Sequence, residues 1–404
     1  MTTLTAARTL PRAGAYWTAA AVAAVALWTS AAPSTAYPLY GAAWHLTPAV
    51  TTAIFAVYPA ALVVVLLVFG DLADHLGRRT TILLGVGAML AGTLLFAVAP
   101  SVAWVFAGRV LMGVGVGLAL SPASAAVAEL SRPGRERAAG SVVTASTALG
   151  LALATLVGGA LIQYAAFPLH LDFWVLAVVL VGVGVSAWFL PRHTRAEDVA
   201  RWRPRAIHIA PGLGGVYVVS ALAVSTAYMF GAVFLSLGAD VAEELIHTRN
   251  VLVVGAVLAL MSVLIGVTAV ATRGVAPRRT VAAGSVTVLV AFALLLASAS
   301  EQSLPLFLVT TVVAGSAYAL LFSGGLGLVS RHAPAHHRAG TISAVYLVAY
   351  VLQGATAIAL GLVATSDGLS RALLVGAVGA GVVAIATFAA SVRDHRNAPA
   401  LATE

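Results

Sequence analysis

The sequence predicts an all-α membrane protein: twelve transmembrane helices in two six-helix, pseudo-symmetric lobes. Three features carry that expectation: apolar content, the placement of arginine, and junctions that recur half a chain apart. Of 404 residues, 61% are apolar and only 9% charged, and the mean hydropathy is +1.00. Soluble domains carry about a quarter charged residues. A helix crossing ~30 Å of hydrocarbon needs roughly 20 apolar residues. Backbone amides in lipid must pair internally, so such spans are helices. Barrel strands would alternate over ~10 residues, and these runs do not.

Breaks at charged and Pro/Gly clusters place spans near 14–37, 47–70, 80–99, 102–128, 139–163 and 173–191. A second set follows near 211–237, 249–272, 280–299, 305–328, 340–365 and 370–391. The domain reading is an N-terminal lobe over 1–191, a connector over 192–210 and a C-terminal lobe over 211–404. The segment before Pro38 is too long for a signal-peptide apolar region and reads as the first span.

All 22 basic residues are arginine. With alternating spans, 19 of the 22 fall on one side, beginning with Arg8 and Arg12 and including Arg192, Arg195, Arg201, Arg203 and Arg205 of the connector. The other side collects Asp172, Asp240, Glu243, Glu244, Glu301 and Asp367, with only Arg249 and Arg371. The positive-inside rule then puts both termini in the cytoplasm, in a bacterial cytoplasmic membrane. The net charge of +8 thus reads as topology, and no nucleic-acid partner is expected. Cysteine is absent, which excludes disulfide and thiol chemistry.

Three junctions recur. Gly77-Arg78-Arg79-Thr80 matches Pro277-Arg278-Arg279-Thr280, Ser131-Arg132 matches Ser330-Arg331, and Arg137-Ala138-Ala139-Gly140 matches Arg338-Ala339-Gly340-Thr341. This indicates duplication of a six-helix unit, the arrangement of two-lobed carriers that rock about a central site.

The stretch Gly70-Asp71-Leu72-Ala73-Asp74-His75-Leu76-Gly77-Arg78-Arg79-Thr80 is a tight charged turn between spans 2 and 3. It resembles the loop 2–3 signature of the major facilitator superfamily. By that resemblance Gly70, Asp74, Gly77, Arg78, Arg79 and Glu129 form a gating latch. In it Asp74 faces the N-terminus of helix 11, where amides and macrodipole favour a carboxylate, and Arg78 links Asp74 to Glu129. His75 departs from the family's basic residue. It reads either as a switch near neutral pH or as a weak headgroup contact. Arg109, with Gly113, Gly115 and Gly117, resembles the fourth-helix signature, which makes Arg109 and Asp74 proton-coupling candidates. An arginine inside a span faces a cavity or a partner, or snorkels to the interface. Its counterpart in span 10 is Thr311. In span 5, Ala154-Thr155 replaces the Gly-Pro kink of the superfamily's antiporters.

No span carries a carboxylate at its middle, which argues against a permanently cationic substrate. Substrate-cavity candidates are Trp28, Ser30, Ser34, Tyr58, Tyr217, Ser225, Tyr228, Tyr318, Tyr346, Tyr350 and Gln353. The last three share one helical face; single tyrosines also serve as packing or interface anchors. His332, His336 and His337 read as a solvated loop or a metal cluster, and the former is the expectation. No nucleotide loop, zinc spacing or nucleophile elbow appears. Neither enzymatic activity, a cofactor nor ATP-driven transport is expected. The resemblance implies alternating access, with proton-coupled export of small amphipathic molecules by a monomer. Its partners would be substrate, protons and the bilayer. A sugar or nutrient facilitator is the alternative, and a non-transporting scaffold or sensor the alternative of another class.

Overall fold

A computed structural model describes residues 9–69, 72–132, 136–191, 213–237, 250–333 and 335–397. The connector over 192–210, Gly70, Asp240, Glu243, Glu244 and Arg249 lie outside the described residues, as do the side chains of Asp74, His336 and His337. Twelve helices are long and apolar enough to span a bilayer. They are α1 (Arg12–Ala31), α2 (Pro48–Phe69), α3 (Arg78–Ala97), α4 (Val102–Leu130), α5 (Glu136–Tyr164) and α6 (Leu171–Trp188). The second six are α7 (Gly214–Ser236), α8 (Val251–Ala271), α9 (Pro277–Ser300), α10 (Leu304–His332), α11 (Ala335–Asp367) and α12 (Leu369–Asn397). Short helices over Tyr37–Trp44 and Leu72–Leu76 and a 3₁₀ turn over Ala32–Thr35 complete the described set, which contains no strand. The twelve crossings leave both chain ends on one face, the terminal face; the other is the far face.

Two apolar cores form, one almost wholly from α1–α6 and one from α7–α12. In lipid, apolar burial gives helices little reason to associate, so close backbone contact at small residues does that work. A Cβ added at Gly115 in α4 would come within 2.6 Å of the Gly85 carbonyl oxygen in α3. One added at Gly113 would come within 2.5 Å of the Tyr58 carbonyl oxygen in α2. The second lobe repeats the latter contact: a Cβ at Gly315 in α10 would come within 2.5 Å of the Met261 carbonyl oxygen in α8. Equivalent helices therefore meet at equivalent glycines.

Between the lobes α2 packs on α11 and α5 on α8. The α5–α8 contact runs from Gly159, facing the Val251 carbonyl at the far face, to Ala148 against Gly266 deeper in the span. Among the described residues, three hydrogen bonds join the far ends. Ala49 N donates to Thr365 Oγ1 at 2.9 Å, Val251 N to Gln163 Oε1 at 2.8 Å and Asn250 Nδ2 to the Tyr164 hydroxyl at 3.3 Å. Asn250 also caps α8, its Oδ1 accepting from Leu252 N and Val253 N, which satisfies two of the orphan amides at that terminus.

The close α3–α4 contact predicts that Gly115→Leu destabilises the N-terminal lobe by about 1–3 kcal/mol, the usual cost of overpacking. Gly182→Leu meets nothing within 4 Å and is expected to leave stability unchanged. Thermal unfolding in detergent compares the two.

Candidate functional site

At the terminal face, Gly77 has φ 83°, a left-handed value that glycine adopts without a Cβ clash, and it starts α3. The bend brings Arg78 to an ion pair with Glu129 at the end of α4. Arg78 is one-quarter exposed and Glu129 nearly half, so screening keeps the pair's net contribution at about 0–1 kcal/mol. Arg79 donates to the Leu190 carbonyl at 3.5 Å, and its guanidinium lies 5.2 Å from the Trp188 ring centroid. Asp74 sits in the Leu72–Leu76 helix directly before this bend. His75 is buried. Arg12 adds a contact: Nε and Nη2 donate to the Leu130 and Ser131 carbonyls, satisfying the free carbonyls where α4 ends. His332 Nδ1 contacts the Leu328 carbonyl of its own helix, and the described residues hold no metal-ligand cluster.

Deeper in the first lobe, Arg109 is 0% exposed. The side chain is therefore inside the protein and does not snorkel. Pro33 opens the 3₁₀ turn that ends α1, so Ser30 is among the last carbonyls lacking an in-helix partner. Arg109 Nη1 donates to that carbonyl at 2.9 Å, and Nε donates to the Ile54 carbonyl of α2 at 3.4 Å. The Ser30 hydroxyl is not the acceptor. The guanidinium lies 4.7 Å from the Tyr58 ring centroid and 5.9 Å from that of Phe55, a cation–π arrangement. Nη2 has no partner. Neither ion pair found among the described residues involves Arg109.

Across the seam, the second lobe gathers five rings. Tyr228 of α7 lies 4.8 Å from Tyr350, 5.9 Å from Phe322, 6.2 Å from Tyr318 and 6.4 Å from Tyr346, centroid to centroid. These separations suit offset or edge-on aromatic pairing. The Tyr228 hydroxyl donates to the Tyr350 hydroxyl at 3.5 Å. Tyr58 of the first lobe lies within electrostatic reach of Tyr318 and Tyr350. Tyr58 thus stands beside Arg109 in the first lobe and within electrostatic reach of two rings of the second.

Further buried polar atoms have no hydrogen-bond partner: Trp28 Nε1, Ser34 Oγ, Ser225 Oγ and Gln353 Oε1. Native interiors pair nearly all such atoms, so unpaired ones mark a site where water or a ligand belongs. Tyr217 departs from the sequence expectation. It lies in the first turn of α7, three helical turns from Tyr228, and packs half-buried on the second core. Phe322 and Phe55 were missed, although Phe322 is at i+4 from Tyr318 and Phe55 at i−3 from Tyr58, the spacing of a shared face. Asp172, counted in sequence as a far-side loop acid, is instead buried in the first turn of α6. A hollow of about 320 Å³ lined by Ala97, Phe167, His170, Leu171 and Trp174 lies at the far face, away from the rings.

Twelve helices long and apolar enough to span a bilayer, in two glycine-packed sets with a buried cation in the first and an aromatic cluster in the second, define a polytopic membrane protein. The family model for the Major Facilitator Superfamily matches residues 19–272, and the chain belongs to that superfamily of transporters. It is 25% identical over 313 residues to "Multidrug resistance protein MdtL" of Escherichia coli O81, covering 74% of this chain and 75% of that one. The protein of the same name from Salmonella paratyphi B is 28% identical over 173 residues, 43% of each chain. A bacterial homolog of the human lysosomal transporter Spinster, in an inward-facing and unoccupied conformation, superposes with TM-score 0.72 at 13% identity, covering 95% of this chain and 98% of that one. A variant of the peptide transporter POT in complex with sulfate superposes with TM-score 0.76 at 17% identity, covering 96% and 95%. These structures share the fold.

A buried arginine lacking a carboxylate carries a desolvation cost that an apolar side chain of similar length does not. Arg109→Met is therefore expected to unfold at a temperature no lower than the parent protein while losing transport. Unfolding and uptake measured on one preparation check both halves.

Proposed function

We propose that this protein exports small amphipathic molecules, neutral or anionic, such as a drug or secondary metabolite, in exchange for protons by alternating access. The observation that carries the reading is the buried Arg109–Tyr58 pair of the first lobe, with Tyr58 within electrostatic reach of the five-ring cluster of the second. Rings offer broad apolar contact to an amphipathic body. The unpaired polar atoms of Trp28, Ser34, Ser225 and Gln353 offer a few orienting contacts, the usual make-up of a small-molecule site. Tyr346 and Tyr350 belong to the same lining. A guanidinium with Nη2 unused suits an electron-rich or anionic group and disfavours a cation. The similarity to multidrug resistance proteins supports the substrate class.

In this reading Gly70, Asp74, Gly77, Arg78, Arg79 and Glu129 form the latch on the terminal face, and Arg109 and Asp74 couple transport to protons. The lobes are 1–191 and 211–404, joined by the connector 192–210. The protein works as a monomer in the bacterial cytoplasmic membrane with both termini inside.

Inside-out vesicles carrying the protein are expected to accumulate dyes or antibiotics from a panel only when a pH gradient is imposed. Asp74→Asn and Arg109→Met are each expected to lower gradient-driven accumulation by ten-fold or more, about 1.4 kcal/mol per factor of ten. Transport with no gradient dependence would replace the exporter with a facilitator, and intact proton-driven transport in both variants would overturn the coupling assignment.

A further inference from the structure

The least expected charge lies outside the aromatic centre. Asp172 is 1% exposed, and neither carboxylate oxygen has a hydrogen-bond partner. Its neighbourhood is apolar toward the lobe interior, where Phe173 packs on Phe96 at 4.7 Å between centroids. Toward α5 the carboxylate faces bare backbone: a Cβ added at Gly158 would come within 3.2 Å of Asp172 Oδ2 and 2.9 Å of Thr35 Oγ1. The next residue, Gly159, belongs to the inter-lobe seam, where a Cβ would come within 2.8 Å of the Val251 carbonyl oxygen. One turn on, Gln163 accepts from Val251 N. Asp172 is thus separated from the closed far-face seam by a single glycine-lined turn of α5.

We infer that Asp172 is a proton-binding site whose occupancy decides whether the far face is closed or open. The inference rests on the alternating-access reading above. A carboxylate ionised in apolar surroundings without a donor costs several kcal/mol, whereas the protonated carboxyl is neutral. With the seam closed the group holds its proton. Parting Gly159 from Val251 admits water beside Gly158 and lets the carboxyl release the proton to it. A ligand shifts a two-state equilibrium toward the state that binds it more tightly. Protons bind more tightly with the seam closed, so acid closes the far face and alkali opens it. The stabilisation of the closed state is complete below the carboxyl's pKa in the open state and is lost as pH rises through its pKa in the closed state.

The other titratable groups nearby do not neutralise Asp172. Tyr40, on the Tyr37–Trp44 helix, lies within reach of its field but donates to the Leu169 carbonyl at 3.4 Å. The Tyr37 hydroxyl is unpaired and within reach of Arg109 on α4. His170 Nδ1 contacts the Ala97 carbonyl at 3.0 Å. At the end of α5 the Tyr164 hydroxyl accepts from Asn250 of α8. Arg249, just before Asn250, lies outside the described residues.

The chain contains no cysteine, so spin labels can be placed without removing any. Ser101→Cys and Ser300→Cys put one label at an exposed far-face position in each lobe. Pulsed EPR in nanodiscs would follow the distance from about pH 5 to about pH 9, a range wide enough for a shifted carboxyl. With Asp172 present, the longer-distance population is expected to grow as pH rises. In Asp172→Asn that shift is expected to vanish, with the shorter distance kept throughout, and Asp172→Glu is expected to restore a titration. The melting temperature, read in parallel, is expected to fall with rising pH in the parent and not in Asp172→Asn. An Asp172→Asn protein that titrates like the parent, or a parent without a pH response, overturns the inference. A shift produced by sodium at fixed pH also overturns it, because the site would then hold a metal cation. If the parent distances titrate while vesicle transport ignores a pH gradient, coupled export fails and the proton site stands.

Discussion

Inside a bilayer every backbone amide must find its partner within the protein, and the architecture follows from that requirement. It forces helices, and because lipid is as apolar as leucine it gives those helices little reason to associate through side-chain burial alone. Association falls instead to close contact at small residues: Gly85 with Gly115, Gly113 with Tyr58, Gly315 with Met261. Each lobe is a body tied by backbone proximity. The seam between lobes uses the same device at Gly159 and Gly255, with α2 against α11 and α5 against α8. The two seam pairs are as extensive as most helix pairs inside a lobe.

Two charges stand against this background. Arg109 and Asp172 are both buried in the first lobe, and neither ion pair among the described residues includes either of them. They are not partners for one another in any hydrogen bond described. Arg109 borrows helix-end carbonyls and aromatic faces, whereas Asp172 has no hydrogen-bond donor. A folded lobe would be cheaper without either. A cost of this kind is retained where the group acts on something that comes and goes, and a proton or a substrate fits that description. The second lobe holds rings where the first holds charge, so the pseudo-symmetry of the backbone carries asymmetric chemistry.

Much of the fold was legible in sequence because the bilayer imposes lengths and polarity that a chain cannot disguise. The twelve spans and the burial of Arg109 come from residues in conflict with, or in strict obedience to, that environment. The ring cluster was partly legible. Tyr346 and Tyr350 follow from helical spacing and Tyr318 from its hydroxyl inside a span, but Phe322 has no polar atom to single it out among apolar residues. Asp172 was misplaced because one acid beside a loop looks solvated until the short helix over Tyr37–Trp44 and the turn before it are folded over it. That contact joins distant segments, and no local period records it.

The hydrogen bonds at the far ends of the lobes set a scale for switching. Each joins neutral groups, and a neutral hydrogen bond is worth about 0.5–1.5 kcal/mol net. The three described bonds add a few kcal/mol to the glycine packing of the seam, only a small multiple of the roughly 1.4 kcal/mol that changes a population ten-fold. A contribution of that size is one that a single bound proton or small molecule can match. A molecular machine that must return to its starting state on every cycle is better served by fastenings weak enough to come undone at the energy of one ligand.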